Sequence, residues 1–155
     1  MIFEERKSVF EVEEGKSLQP KFDKNGLIPV ITVNFSDNQI LMHSYMNKEA
    51  FQKSINTKQA HYWSRSRKSI WKKGEISGLS QEIIEIKIDD DQDCVIFFVK
   101  LGGLQASCHV GYKSCFYRKL SKKSSKFNNN LEFTEDKKIF DPKKIYSNTP
   151  NPTKL

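Results

Sequence analysis

The sequence predicts an α+β fold, mostly β, in which a small mixed sheet carries one main helix. Runs rich in β-branched and aromatic residues recur along the chain, punctuated by Gly, Pro, Asn and Asp. Only one segment shows helical apolar spacing behind an N-cap residue. The length of 155 residues, with 11 Phe, 5 Tyr and 2 Trp, is one domain's worth of material with enough aromatic bulk for a core.

The elements follow in order. Residues 1–26 are polar, broken by Gly15, Pro20 and Asn25-Gly26, and read as a loose N-terminal extension. Residues 27–35 (LIPVITVNF) form a strand, with Pro29 suited to its start or to an edge. Asp37-Asn38 marks a turn, and residues 40–46 (ILMHSYM) return as the second arm of a hairpin. Asn47 caps a helix over 48–56, with Phe51 and Ile55 on one face and Glu49 in the first turn. Residues 60–65 form another strand, and 66–80 a loop bearing Gly and Lys. Two strong strands, 83–88 and 94–101, flank the acidic run DDDQD at 89–93. Gly102-Gly103 ends the second, and short extended pieces surround Cys108 and Cys115. The main folded unit is therefore 27–120. Residues 121–155 shift to Ser, Lys and Asn and read as a basic tail, docked through Phe133, Ile139, Phe140 and Tyr146.

The net charge is +7, and residues 121–155 carry eight Lys against four acids. That balance favours anionic partners. The longest apolar run, 95–99, is too short for a membrane span, and the first residues lack the pattern of a secretory signal. Three cysteines, an odd count, do not suggest a disulfide framework. Reduced thiols in the cytoplasm are expected, as core residues, metal ligands or nucleophiles.

Three constellations carry chemistry. Asp89, Asp91 and Asp93 alternate, so an extended backbone projects them from one face, and a turn still crowds them. Their repulsion predicts raised pKa values or a bound hard cation, Mg²⁺ or Ca²⁺. The same run also suits a plain polar turn. An EF-hand is excluded, because the sixth position is Cys94 and the twelfth Lys100. Cys108-His109 and Cys115 suggest zinc, and three protein ligands would leave the open position of a catalytic site. Cys94 opens an apolar run and reads equally as core. A Cys108–His109 dyad is disfavoured, since neighbours on a strand face opposite ways. Finally, Arg65, Ser66, Arg67, Trp71, Lys73, Gly74 and Ser77 make a basic segment fit for phosphate, with Trp63 or Trp71 available to stack on a base. A nucleotide ligand and an RNA patch both fit it. His43 and His61 read as structural.

Together, ILMHSYMNKEAF, YWSRSRKSIWKKGEISG, DDDQD and SCHVGYKSCFYR, in that order, resemble the phosphoribosyl-AMP cyclohydrolase family over about residues 27–120. The resemblance implies an intertwined cytoplasmic homodimer acting in histidine biosynthesis, with no nucleic-acid or membrane partner. Its substrate would be N1-(5-phosphoribosyl)-AMP, opened by water between N1 and C6 of the adenine ring. It implies magnesium at Asp89, Asp91 and Asp93, and zinc at Cys108 and Cys115. His109 would manage protons around zinc-activated water. The basic segment would hold the two phosphates. The family pattern Asp-Cys-Asp-x-Asp has Asp90 here in place of its zinc-binding Cys, the interval to Cys108 is about two residues longer, and Leu79 replaces a more polar residue. The third zinc ligand is then Cys94 or Asp90, with Cys94 favoured because thiolate is the softer donor. The rival reading is a basic, zinc-stabilised nucleic-acid-binding module, and a third is a relative that has lost zinc.

Overall fold

A computed structural model describes residues 3–153. Its main body is a six-stranded mixed sheet built from β1 (Leu27–Asn34), β2 (Ile40–Asn47), β3 (His61–Ser64), β4 (Ser69–Lys72), β5 (Gln81–Ile88) and β6 (Val95–Leu101). The spatial order is β4-β3-β2-β1-β6-β5, and β1–β6 is its parallel pair. The mixed, mostly β expectation is met. The helix between β2 and β3, α2 (Lys48–Thr57), is the main one, capped by Asn47, whose Oδ1 accepts from the Ala50 amide at 2.8 Å. It buries Ala50, Phe51 and Ser54 and stops at Lys58, which turns left-handed (φ 54°). The core packs Phe51, Met46, Leu41, Ile28, Val30, Tyr62, Val95, Phe97 and Val99 between sheet and helix.

Three local expectations change. The presumed loop 66–80 contains β4, which pairs with β3 around a four-residue turn at 65–68. No alternating apolar pattern marks it, because its burial comes from Trp71 packing on Tyr62 (ring centroids 5.2 Å). The N-terminal extension is anchored, not loose. It forms α1 (Val9–Glu14), and Phe3 enters the core with its ring 5.2 Å from Phe51. Gln92 also holds it, accepting from the Gln19 amide and donating to the Val12 carbonyl (2.7 and 3.0 Å).

The polar tail is ordered too. A separate hairpin, β7 (Arg118–Lys123) and β8 (Lys126–Phe133), turns through Ser124 and Ser125, both left-handed (φ 50° and 65°). Its first strand runs across the compositional boundary at 120. Beyond it, Phe140 is buried against Leu79 and Ala106, with Ile145 and Tyr146 alongside, before and within the short helix α3 (Pro142–Ile145) and just after it. Phe140 and Tyr146 thus dock the tail as expected. Ile139 stays largely exposed, and Phe133 contacts the Tyr112 and Tyr117 rings from an exposed position. Leu79 is the floor under Phe140.

Candidate active site

The segment after β6 does not continue as strand. It closes into a tight loop in which the Ser107 amide donates to Lys113 O (2.9 Å) and the Cys108 amide to Tyr112 O (3.2 Å). The loop's far arm is fastened from two sides. The Cys115 amide donates to Leu41 O on β2 (2.7 Å), and Ser114 Oγ to Ile40 O (2.7 Å). From the tail, the Glu135 carboxylate accepts from the Lys113 and Ser114 amides (2.8 and 2.9 Å). Gly111 sits at φ 106°, and a Cβ there would meet Phe140 O at 2.5 Å, so the tail packs directly on the loop.

This geometry brings Cys108 and Cys115 close enough for their thiols to influence each other's ionisation. Cys108 is buried and Cys115 exposed. Cys115, then the Val110 amide and the Lys73 ammonium, hold the Cys108 thiol below its ordinary value. Its partner Cys115 is pushed up by the same coupling and by burial of the thiol. Because the backbone turns at 108–110, the argument from strand alternation does not apply to His109. Its Nε2 is shielded from solvent without a hydrogen-bond partner among the described residues, while Asn151 of the tail bonds the side chain. Burial lowers the His109 pKa, keeping the ring neutral and able to accept a proton.

Beneath the loop runs a polar chain that sequence inspection missed. Tyr62 OH donates to Gln81 Oε1 (2.6 Å), so its one proton is used, and Thr32 Oγ1 donates to Tyr62 OH (2.7 Å). Gln81 Nε2 then donates to Ser107 Oγ (2.7 Å). Thr32, Tyr62 and Gln81 are fully buried. Lys73, also buried, donates to Ser107 O at 2.6 Å and lies over the Trp71 ring. Gly74 adjoins it for a steric reason: a Cβ would come within 2.5 Å of the Ser80 nitrogen. Ser77 Oγ caps the same turn by accepting from the Leu79 amide (3.2 Å).

The remaining candidates lie elsewhere. Arg65, Ser66 and Arg67 are exposed at the β3–β4 tip, with the Arg65 guanidinium 4.4 Å from the Tyr45 ring centroid. The five residue steps from Lys68 to Lys73 span about 17 Å if extended, so tip and base form two groups. The acidic run turns. Asp89, Asp90 and Asp91 bring carboxylate oxygens within 4.8 Å of one another. Asp89 Oδ1 accepts from the Asp93 and Cys94 amides (both 2.9 Å), and Lys21 pairs with Asp91 and Asp93 (both 3.1 Å). The Asp91 carboxyl is therefore held below its usual range by Lys21, against the expectation of raised values. The close oxygens suit a hard cation, with Asp90 in the cluster and Asp93 beside it.

Asp90 and Cys94 precede β6 and the cysteine loop follows it. Six residue steps of strand separate the two ends by about 20 Å. Among the described residues, no third His, Cys, Asp or Glu donor joins Cys108 and Cys115. Burial, then the Asp89 carboxylate, raises the Cys94 pKa. Two interacting thiols near Lys73 fit zinc as part of a donor set, which among the described residues gains no third such donor.

Comparison with known proteins gives these features a family. The family model described as phosphoribosyl-AMP cyclohydrolase matches residues 42–117. A phosphoribosyl-AMP cyclohydrolase of Rhodopseudomonas palustris (strain BisA53) is 45% identical over 136 residues, covering 88% of this chain and 91% of the relative. One from Chelativorans sp. (strain BNC1) is 50% identical over 107 residues, covering 69% and 77%. One from Bradyrhizobium diazoefficiens is 40% identical over 136 residues, covering 88% and 94%. The matched stretch contains β3, β4, the acidic turn and both loop cysteines, and on identity over nearly the whole chain this protein belongs to the phosphoribosyl-AMP cyclohydrolase family of hydrolases.

Proposed function

We propose that the chain hydrolyses N1-(5-phosphoribosyl)-AMP, opening the adenine ring between N1 and C6, as a step of cytoplasmic histidine biosynthesis. The observation that carries the reading is the loop that brings Cys108 near Cys115 and also carries His109, whose Nε2 is shielded and unpartnered among the described residues. N1-alkylation makes the purine ring cationic and C6 electrophilic, so the remaining difficulty is the weakness of water as a nucleophile. Zinc held by Cys108 and Cys115 would supply Lewis-acid activation of that water. His109, neutral because it is buried, takes a proton at Nε2 during attack and returns it to N1 as the C6–N1 bond breaks. Asp89 and Asp91, with Asp93 after displacement of Lys21, would hold magnesium against a substrate phosphate. Arg65, Ser66 and Arg67 offer a second phosphate contact.

The centre is completed in a homodimer. A partner chain would bring its acidic turn to the cysteine pair, supplying the Cys94 thiolate or, failing that, the Asp90 carboxylate. Exposed apolar side chains at Leu120, Phe127, Leu131 and Phe133 on the tail hairpin support an association surface. Purified protein loaded with zinc and magnesium should convert phosphoribosyl-AMP to the ring-opened aminoimidazole carboxamide, with activity lost to chelator and regained on adding zinc. A folded, metal-loaded sample without turnover would overturn the reading.

A further inference from the structure

Lys73 is a buried lysine with no carboxylate partner among the described residues. It is 7% exposed, and none of the ion pairs among the described residues includes it. Its Nζ donates to Ser107 O at 2.6 Å, one residue before Cys108, and stands 5.6 Å from the Trp71 ring centroid. Burial lowers its pKa, and the two loop cysteines act in the opposite direction, favouring the charged form. A buried ammonium is costly unless an anion shares its surroundings. One carbonyl and one ring face supply only partial negative charge. The position is also a poor one for grasping a phosphate from solvent, because the head group already points inward to the loop.

Charge counting identifies what the site is built around. Two thiolates and one Zn²⁺ sum to zero, and a third anionic ligand makes the centre −1. One fixed cation restores neutrality. We propose that Lys73 is the internal counter-charge of the Cys108–Cys115 centre and, through Ser107 O, the residue that positions the Cys108 arm of the loop. It is a positioning residue and makes no substrate contact. The proposal rests on the zinc reading above, in which either third ligand, Cys94 thiolate or Asp90 carboxylate, is anionic.

The test uses full-length protein and zinc alone, in competition with a chromophoric chelator. Lys73→Met keeps the side-chain length and removes both charge and bond. It should weaken zinc binding tenfold or more, leave KM for phosphoribosyl-AMP within twofold, and leave the Tm of the metal-free chain unchanged or raised, since an unpaired buried charge is gone. Lys73→Gln can retain a bond to Ser107 O without the charge, so it guards against a folding defect and should also weaken zinc. Unchanged zinc affinity in both variants, or a tenfold rise in KM with zinc affinity intact, would overturn the proposal while leaving the zinc centre standing. Absence of zinc binding by the parent chain would overturn the zinc reading and this one with it.

Discussion

Removing the Tyr62 hydroxyl isolates the buried polar chain from everything else the residue does. The ring of Tyr62→Phe keeps its neighbours, Trp71 and Phe97 at centroid distances of 5.2 and 6.4 Å, so no cavity opens. Two hydrogen bonds disappear, of 2.6 Å to Gln81 Oε1 and 2.7 Å from Thr32 Oγ1. Each contributes about 1 kcal/mol net, and an orphaned buried carbonyl oxygen costs about 1–3 kcal/mol. Better burial of the apolar ring offsets part of this, leaving an expected loss of about 2–3 kcal/mol. For a chain of this size that is a fall in Tm of roughly 5–10 °C. Urea unfolding at fixed protein concentration, followed by circular dichroism, measures it, and repeating it at a second concentration isolates any contribution from association. The companion variant Thr32→Val should cost less on the Tyr62→Phe background than alone, because the two groups share one bond. Gln81, freed at Oε1, should also loosen its hold on Ser107 and reduce zinc retention. A loss under about 0.5 kcal/mol, or strict additivity with Thr32→Val, would refute the chain as a supporting element.

Gly111→Ala forces a Cβ toward Phe140 O at a left-handed φ, and should cost about 1–3 kcal/mol and unseat the tail, seen as faster proteolysis after residue 134. Asp37 is held below the usual carboxylate range, first by Lys113 and then by the Gln39 amide. Its stabilising effect is therefore present above the unfolded value of about 3.9 and is lost as pH falls through the folded value. Asp37→Asn should lower the urea midpoint at pH 7 and converge with the parent only as pH falls below the folded value, itself under about 3.9. High salt should shrink the pH 7 difference, since the pair is exposed. Asp91→Asn should raise the magnesium needed for half-maximal activity by about tenfold or more. A parent-like titration would mean that the acidic turn is structural only.

What the sequence disclosed follows from how local each signal is. β1, β2, β5 and β6 were legible because their apolar residues are contiguous, and α2 because Asn47, Phe51 and Ile55 lie within nine positions. The Cys108, His109 and Cys115 grouping was legible for the same reason. Residues 32, 62, 81 and 107 form one polar chain only after four elements have folded together, so no window of sequence contains it. Lys73 sits in a basic run that reads as solvated, and only the fold buries it with Nζ on Ser107 O. Lys21 meets Asp91 and Asp93 across some seventy residues, which reverses the charge argument made from the acidic run alone. The tail hairpin turns on Ser124-Ser125, which lacks the Asn-Gly or Asp-Gly signature of such turns.

The central claim, a catalytic centre shared between two chains, is tested most directly by subunit complementation. Cys108→Ser removes the loop side of the centre and Cys94→Ser the contributed ligand, so each variant alone should be inactive. After unfolding and refolding together, half of the dimers would be mixed, each with one intact site of two. The account predicts recovery of about a quarter of parental activity against phosphoribosyl-AMP. Mixed dimers that form but remain as inactive as either parent variant, with the same result when Asp90→Asn replaces Cys94→Ser, would contradict it.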